Sequence, residues 1–292
     1  MARSSFARLR RQGFTLVELL VVIGIIALLM SILLPSLGRV RMRSAATKSM
    51  SNLRQVGLAL EMYKNEWRGY YPRHSSLDSE TTRATPPRAR TRWIDDIFHY
   101  AATTEVYASP LLDDGEKVRM NKPFAHTCDP TTGQPTSNTV YFGGYGYNYQ
   151  YLGNARKPGG IAPYHANGAS IRKPAETIAV SDSNGSKDGG SAWTSEGVYV
   201  IDPPRQSMTL GSKGSRSTSA DPSVGGNYSY RAGNDGDASR RSTPAERNLG
   251  NVNVLFCDGH VVPMKLAEMD DYNGDGTPDN GWWNGVANPQ LR

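Results

Sequence analysis

The sequence predicts an α+β protein, with one long N-terminal α-helix packed on a small antiparallel β-sheet that carries long loops. Three observations predict it. An apolar run over residues 14–34 passes into three- and four-residue apolar spacing that continues to Trp67. Short β-rich runs follow at residues 176–181 and 252–256, with 198–201 as another candidate. Between them lie stretches dense in Gly, Ser, Pro and Asn, which read as loops.

The first element begins after a basic leader, residues 1–13, which contains Arg3, Arg8, Arg10 and Arg11. Residues 14–34 would span roughly 32 Å as a helix, enough to cross a bilayer core. One acid interrupts them, Glu18. An ionised carboxylate at such a depth costs about 2.5 kcal/mol or more, so Glu18 calls for a partner. A secretory signal peptide would have a shorter apolar core without an acid and small residues at its exit, and Leu33-Leu34-Pro35 is a poor exit. A plain membrane anchor fits the length and leaves Glu18 unexplained.

Gly13-Phe14-Thr15-Leu16-Val17-Glu18 resembles the type III signal sequence of type IV pilins and type II secretion pseudopilins. The resemblance implies cleavage between Gly13 and Phe14 by a membrane prepilin peptidase, then N-methylation of Phe14. It also implies that Glu18 meets the α-amino group of Phe14 on a neighbouring subunit during assembly, so that two charges costly in hydrocarbon offset each other. Pro35 stands where pilin stems often bend, because proline removes a helix hydrogen bond. Basic residues flank the span on both sides, so charge does not orient it. The resemblance does: leader in the cytoplasm, one crossing of the bacterial inner membrane, and the head in the periplasm or outside the cell. The expected organisation is leader 1–13, transmembrane half-stem 14–36, amphipathic half-stem 37–68 and globular head 69–292.

The formal charge of +6 is unevenly placed. The four leader arginines, with Arg39, Arg41, Arg43, Lys48 and Arg54 set against Glu18, more than account for it, and residues 55–292 are slightly acidic. This basicity suits anionic lipid rather than a nucleic-acid face, and no nucleic-acid partner is expected. Cys128 and Cys257 are the two cysteines. In an oxidising compartment they could pair or remain two buried thiols, and spacing does not decide between these.

Along the half-stem, Leu37, Val40, Met50, Leu53, Val56, Leu60, Tyr63 and Trp67 share one face, while Arg39, Arg43, Lys48, Asn52, Arg54 and Glu61 lie largely on the others. The helix is expected to end at residues 66–69, before Tyr70-Tyr71-Pro72. Residues 73–92 read as a loop, and 93–100 as a short helix with Trp93, Ile97 and Tyr100 on one side. The tyrosine- and glycine-dense run 139–152 reads as extended structure that packs in the core, with sugar or base stacking as the other reading. Residues 205–247 have too few apolar side chains to build a core and are expected to form a mobile surface insertion.

Two further signatures lie near the C-terminus. Asn248 precedes Asp258-Gly259 by ten residues, and the stretch around them resembles the closing motif of a large bacterial group of pseudopilin-like proteins. That group has histidine where this chain has Asn248. Asp-Gly between apolar runs predicts a hairpin turn. Segments 52–60, 145–149 and 173–178 with Ser181-Asp182-Ser183 resemble the same group. Asp271, Asn273, Asp275, Thr277 and Asp279 follow an oxygen-ligand spacing, with Trp282 where an EF-hand has its bidentate Glu. Calcium in the loop 271–282 is therefore an expectation, with a solvated turn as the alternative.

No nucleophile elbow, phosphate loop or zinc-type spacing appears, and the five histidines are scattered. The expectation is not an enzyme. It is a structural subunit assembled with other pilin or pseudopilin subunits on a secretion platform, most simply for type II protein secretion. The alternative is a surface fibre or membrane-anchored module that captures polysaccharide or another macromolecule.

Overall fold

The computed structural model describes residues 16–75, 91–155, 163–185, 199–204 and 243–290. Helix α1, Leu16–Glu66, runs for 51 residues and contains Pro35. Proline offers no N–H to the preceding turn, yet the helix passes through it unbroken. Ser31 and Ser36 on either side of it donate from Oγ to the carbonyls of Leu28 and Leu33, at 2.7 and 2.8 Å. The chain divides into two compact units at Arg43 and Ser44. Through the first, residues 16–43, every helical position is exposed.

The second unit, Ser44–Arg292, holds the rest of α1 and the head. Here α1 buries Ala46, Ser49, Asn52, Leu53, Val56, Gly57, Ala59, Leu60 and Tyr63. The expected inner face is present from Leu53 to Tyr63, and Met50 packs against it half-buried. Three expected members, Leu37, Val40 and Trp67, are exposed instead. Asn52, expected on the polar side, is 5% exposed. The helix stops where predicted. Arg68 and Gly69 take φ of 54° and 87°, and the Gly69 N–H reaches back to the Lys64 carbonyl at 2.7 Å, which closes the last turn. Of the expected loop 73–92, residues 76–90 lie outside the described residues.

The head follows as α2 (Trp93–Ile97), α3 (Asp114–Met120), β1 (Lys122–Pro123), β2 (Tyr141–Phe142), β3 (Tyr145–Tyr147), α4 (Tyr149–Leu152), β4 (Gly153–Asn154), β5 (Tyr164–His165), β6 (Ile178–Gly185), β7 (Thr243–Pro244), β8 (Val252–Phe256), β9 (Val261–Met264) and α5 (Leu266–Asp270). Among the described residues these strands form a five-stranded antiparallel sheet ordered β3-β6-β8-β9, with β7 also on β6, and two small ribbons. Registers are fixed by Tyr145 opposite Asp182, Ser181 opposite Val254 and Leu255 opposite Val261. The candidate strand at 198–201 contributes a single parallel bridge, Val200 to Tyr147.

Strand β8 explains the layering. Leu255 belongs to the cluster that contains Leu53, Val56 and Leu60 of α1, whereas Val252, Val254 and Phe256 join Met269 and Trp283 in the other cluster. Both faces of the sheet are therefore covered, and β8 is buried throughout, as its largely apolar composition requires. The architecture is α+β and pilin-like: a long N-terminal helix with small antiparallel sheets.

The tyrosine-rich run supplies β2, β3 and α4. Tyr145, Tyr147 and Tyr149 are wholly buried. Gly146 lies so close to a neighbouring segment that a Cβ there would stand 2.4 Å from Ile201 Cγ2 and 2.7 Å from the Val200 carbonyl oxygen. From Phe142 to Leu152 the run is core, while Val140 and Tyr141 at its start are exposed. Of the expected insertion 205–247, residues 205–242 lie outside the described residues, but its end is built into the fold. Pro244 pairs with Ser183, Ala245 is buried, and the Arg247 side chain is 9% exposed.

Candidate functional site, an apolar stem and its polar lock

The first functional feature is the helix segment 16–34. Leu16, Leu19, Leu20, Ile23, Ile26, Leu29, Ile32 and Leu33 are all between 46 and 77% exposed, and no residue of the segment's apolar window is buried. A surface this apolar on every side is not stable in water and is long enough to cross a membrane. Glu18 stands in its first turn. The leader 1–13 and Phe14, and with them the expected processing pair Gly13 and Phe14, lie outside the described residues.

The second feature joins α1 to the sheet within the second unit, through side chains that periodicity assigned to neither helix core nor site. Ser49 Oγ lies 3.1 Å from the Tyr145 hydroxyl on β3 and donates to Asp182 Oδ1 on β6 at 3.4 Å. Ser109 Oγ donates to the same oxygen at 3.4 Å, and the Asn253 backbone N–H on β8 donates to Oδ2 at 3.2 Å. Asn52 Nδ2 donates to the Ala108 carbonyl at 3.4 Å. Asp182 is fully buried, and that burial pushes its carboxyl up to about 6. The Arg247 guanidinium and the hydrogen bonds from Asn253 and Ser49 pull the other way.

Arg247 is itself fixed. Its Nη2 pairs with Glu116 Oε1 at 2.8 Å and its Nη1 donates to the Ser183 carbonyl at 2.7 Å. Sequence pattern could have flagged Ser49, because it lies four residues before Leu53 and seven before Val56, on the same face. Arg247 gave no such signal, since it sits in a run whose composition reads as loop.

The closing motif brackets β8 and feeds this lock. Asn248 and Asn251 exchange backbone hydrogen bonds at 2.9 Å around Leu249 and Gly250, both at positive φ. Asn248 Nδ2 donates to Asn253 Oδ1 at 2.8 Å, and the Asn253 N–H in turn holds Asp182. At the other end Asp258-Gly259 turns the chain into β9, with Gly259 at φ 91°. Asp258 Oδ1 accepts from the His260 backbone N–H at 3.1 Å and lies 2.5 Å from His260 Nδ1, while the His260 ring stacks on Phe256. In this arrangement Asn248 and Asp258 act on the backbone that carries β8. On α1 the matching element is Gly57, where a Cβ would stand 3.0 Å from Leu255 Cδ1 and 3.6 Å from Gly259 Cα.

Ser181 and Ser183 are buried beside Asp182, and their hydroxyls donate to the carbonyls of Asp182 and Val200. These groups support the sheet rather than facing a cleft. Cys128 and Cys257 are free thiols. Cys128 Sγ donates to the Phe124 carbonyl, and Cys257 lies by Tyr71, with burial pushing its thiol up to about 12. Each sulfur has its own surroundings and they are not bonded to each other.

The loop carrying Asp271, Asn273, Asp275, Thr277 and Asp279 spends its oxygens on its own backbone. Asp271 accepts from the N–H groups of Gly274, Asp275 and Gly276, and Asp275 accepts from Thr277 N–H and from Asn273 Nδ2. Asp279 accepts from Tyr272 and Gly281. Among the described residues no three His, Cys, Asp or Glu side chains converge as a metal site.

Comparison with known proteins bears on the stem. A family model described as the Prokaryotic N-terminal methylation motif matches residues 8–34. The chain is 37% identical over 75 residues to the Type IV wide pilus major component PilA4 of Thermus thermophilus. That match covers 26% of this chain and 57% of the relative, so the chain spans little more than half of the relative's length. No solved structure matches. The methylation motif and the relative are both similarities to type IV pilins, and the exposed apolar helix beginning within the matched segment agrees with them.

Proposed function

We propose that the chain assembles through its stem into a periplasmic pseudopilus or pilus-like fibre, and that type II protein secretion is the process it serves. The observation that carries this reading is the wholly exposed apolar helix segment 16–34 with one acid in its first turn. Prepilin peptidase would cut between Gly13 and Phe14 and the new amine would be methylated. In the membrane the apolar segment is solvated by lipid; in a fibre the same surface would be covered by the stems of other subunits. The Phe14 amine of one subunit and the Glu18 carboxylate of the next would then set the register, since each charge is costly alone in an apolar setting. The polar lock keeps the second part of α1 seated on its sheet.

The test is Glu18→Ala in cells. Membrane insertion and leader removal are expected to be unchanged, while incorporation into fibres falls about tenfold or more by quantitative blotting of sheared filaments, because a buried amine is left unpaired. Incorporation equal to the unaltered chain would remove Glu18 from the mechanism. Copurification with a secretion ATPase and an outer-membrane secretin is expected for the secretion role; their absence from an intact fibre preparation would separate the subunit from that process.

A further inference from the structure

Three arginines just beyond the apolar span stand on opposite sides of the helix rather than in one stripe. Arg39, Arg41 and Arg43 lie on α1 and are exposed. At about 100° per residue Arg41 points about 200° from Arg39, and Arg43 returns to within about 40° of it. All three fall within about 6 Å along the axis. Arg39 begins about 7.5 Å beyond Leu34, the last residue of the apolar run, which is the depth of a headgroup layer. Between them Val40 and Met42 are 60 and 46% exposed. Cationic heads and apolar side chains alternate around one level of the helix.

No acidic residue occurs in the sequence between Leu19 and Leu60, so this level of the stem carries charge of one sign. A folded protein partner would approach from one side, and cations on opposite sides do not favour that. The headgroup layer of a bilayer approaches from all sides and offers both phosphate and acyl chain. The position is also unusual. In the orientation proposed above, these arginines are on the translocated side, where arginine is generally depleted.

We propose that Arg39, Arg41 and Arg43 form a binding collar for anionic phospholipid headgroups in the leaflet on the head side of the membrane. The proposal rests on the reading of residues 14–34 as a membrane span. Each arginine stem lies along the acyl boundary while its guanidinium takes a phosphate oxygen pair, a geometry to which the planar fork is suited. The collar fixes the depth of residues 39–43 in the headgroup layer before assembly.

The experiment uses the full chain reconstituted in vesicles of phosphatidylcholine and phosphatidylglycerol at a ratio of about 7:3. Polymer-excised patches around the protein are then analysed for lipid by mass spectrometry. For the unaltered chain, phosphatidylglycerol is expected to be enriched about threefold over the bulk ratio, falling toward bulk at high salt. The triple variant Arg39→Gln, Arg41→Gln, Arg43→Gln is expected to lose most of that enrichment, and a triple Arg→Lys variant to keep part of it. The leader arginines are present in every arm, so only the collar differs. Equal enrichment in the unaltered and Gln chains, with both floating in vesicles, overturns the collar and leaves the membrane span standing. Failure of the unaltered chain to float with vesicles overturns the span itself, and the collar with it.

Discussion

Helix α1 is one element in two surroundings, and the contrast between its parts shows what decides the fate of an apolar residue. In residues 16–43 leucine and isoleucine side chains are exposed on all sides. From Ser44 onward, Leu53 and Val56 are wholly buried on one side, while Arg54 and Leu58 remain exposed on the other. Helix propensity is similar throughout, so it does not distinguish the parts. The difference lies in what covers the helix. The first part, from Leu19 to Leu34, has an apolar periphery all round, which suits lipid or other stems; the second has a directional seam, closed by Leu255 and the Asp182 lock.

The largest effect that could break this comparison is a truncation in each part. Leu53→Ala should cost the head about 2–5 kcal/mol, because a fully buried side chain leaves a cavity. Leu20→Ala should change head unfolding by less than about 0.5 kcal/mol. Chemical denaturation of the two variants in detergent, read from tryptophan fluorescence, compares them directly. Similar losses from both would mean that the first part is also packed against protein.

A pH series sharpens the nature of the seam. Burial raises the carboxyls of Asp182 and Asp95 to about 6 and of Asp96 to about 7, from an unfolded value of about 3.9. The folded head therefore binds more protons than the unfolded chain between about pH 4 and 7, and its stability falls as pH rises through that window. Lowering the pH from about 7.5 to 5 should raise Tm by roughly 3–6 °C. Asp182→Asn should flatten the slope while keeping the fold. A Tm that rises steadily with pH over this range would show that the lock is ionised at little cost.

The smallest expected effect concerns calcium. With the oxygens of 271–279 engaged by backbone N–H groups, calcium at about 1 mM should move the Tm of the chain by less than about 1 °C. A rise above about 3 °C would mean that the loop takes up the ion through Asp271, Asn273, Asp275, Thr277 and Asp279.

Much of the fold is legible because its signals are periodic or local. The end of α1 near residue 66, the short helix at Trp93, β6, β8 and the Asp258-Gly259 turn can each be read from spacing or turn chemistry. The lock cannot, because Ser49, Ser109, Asp182, Arg247 and Asn253 come from separate stretches and only the topology brings them together. The exposure of Leu37 and Val40 escapes the pattern for a related reason: three- and four-residue spacing marks an apolar face without saying what covers it. Composition also misleads at residues 243–247, where a loop-like sequence supplies β7 and the half-buried Arg247. In the stem the informative residue is the exception, Glu18, and its role has to be read from assembly rather than from the isolated chain.

The lock also sets an order of events. Ser49 leaves the ribosome early, whereas Asn253 follows about 200 residues later, an interval of roughly 10–40 s at ordinary synthesis rates. Throughout that interval the inner face of α1 lacks the strand that completes its seat. A nascent chain stopped before β8 would hold a stem already made and a sheet unable to receive it. In the proposed orientation, maturation of the head then finishes on the far side of the membrane, after the stem has been threaded.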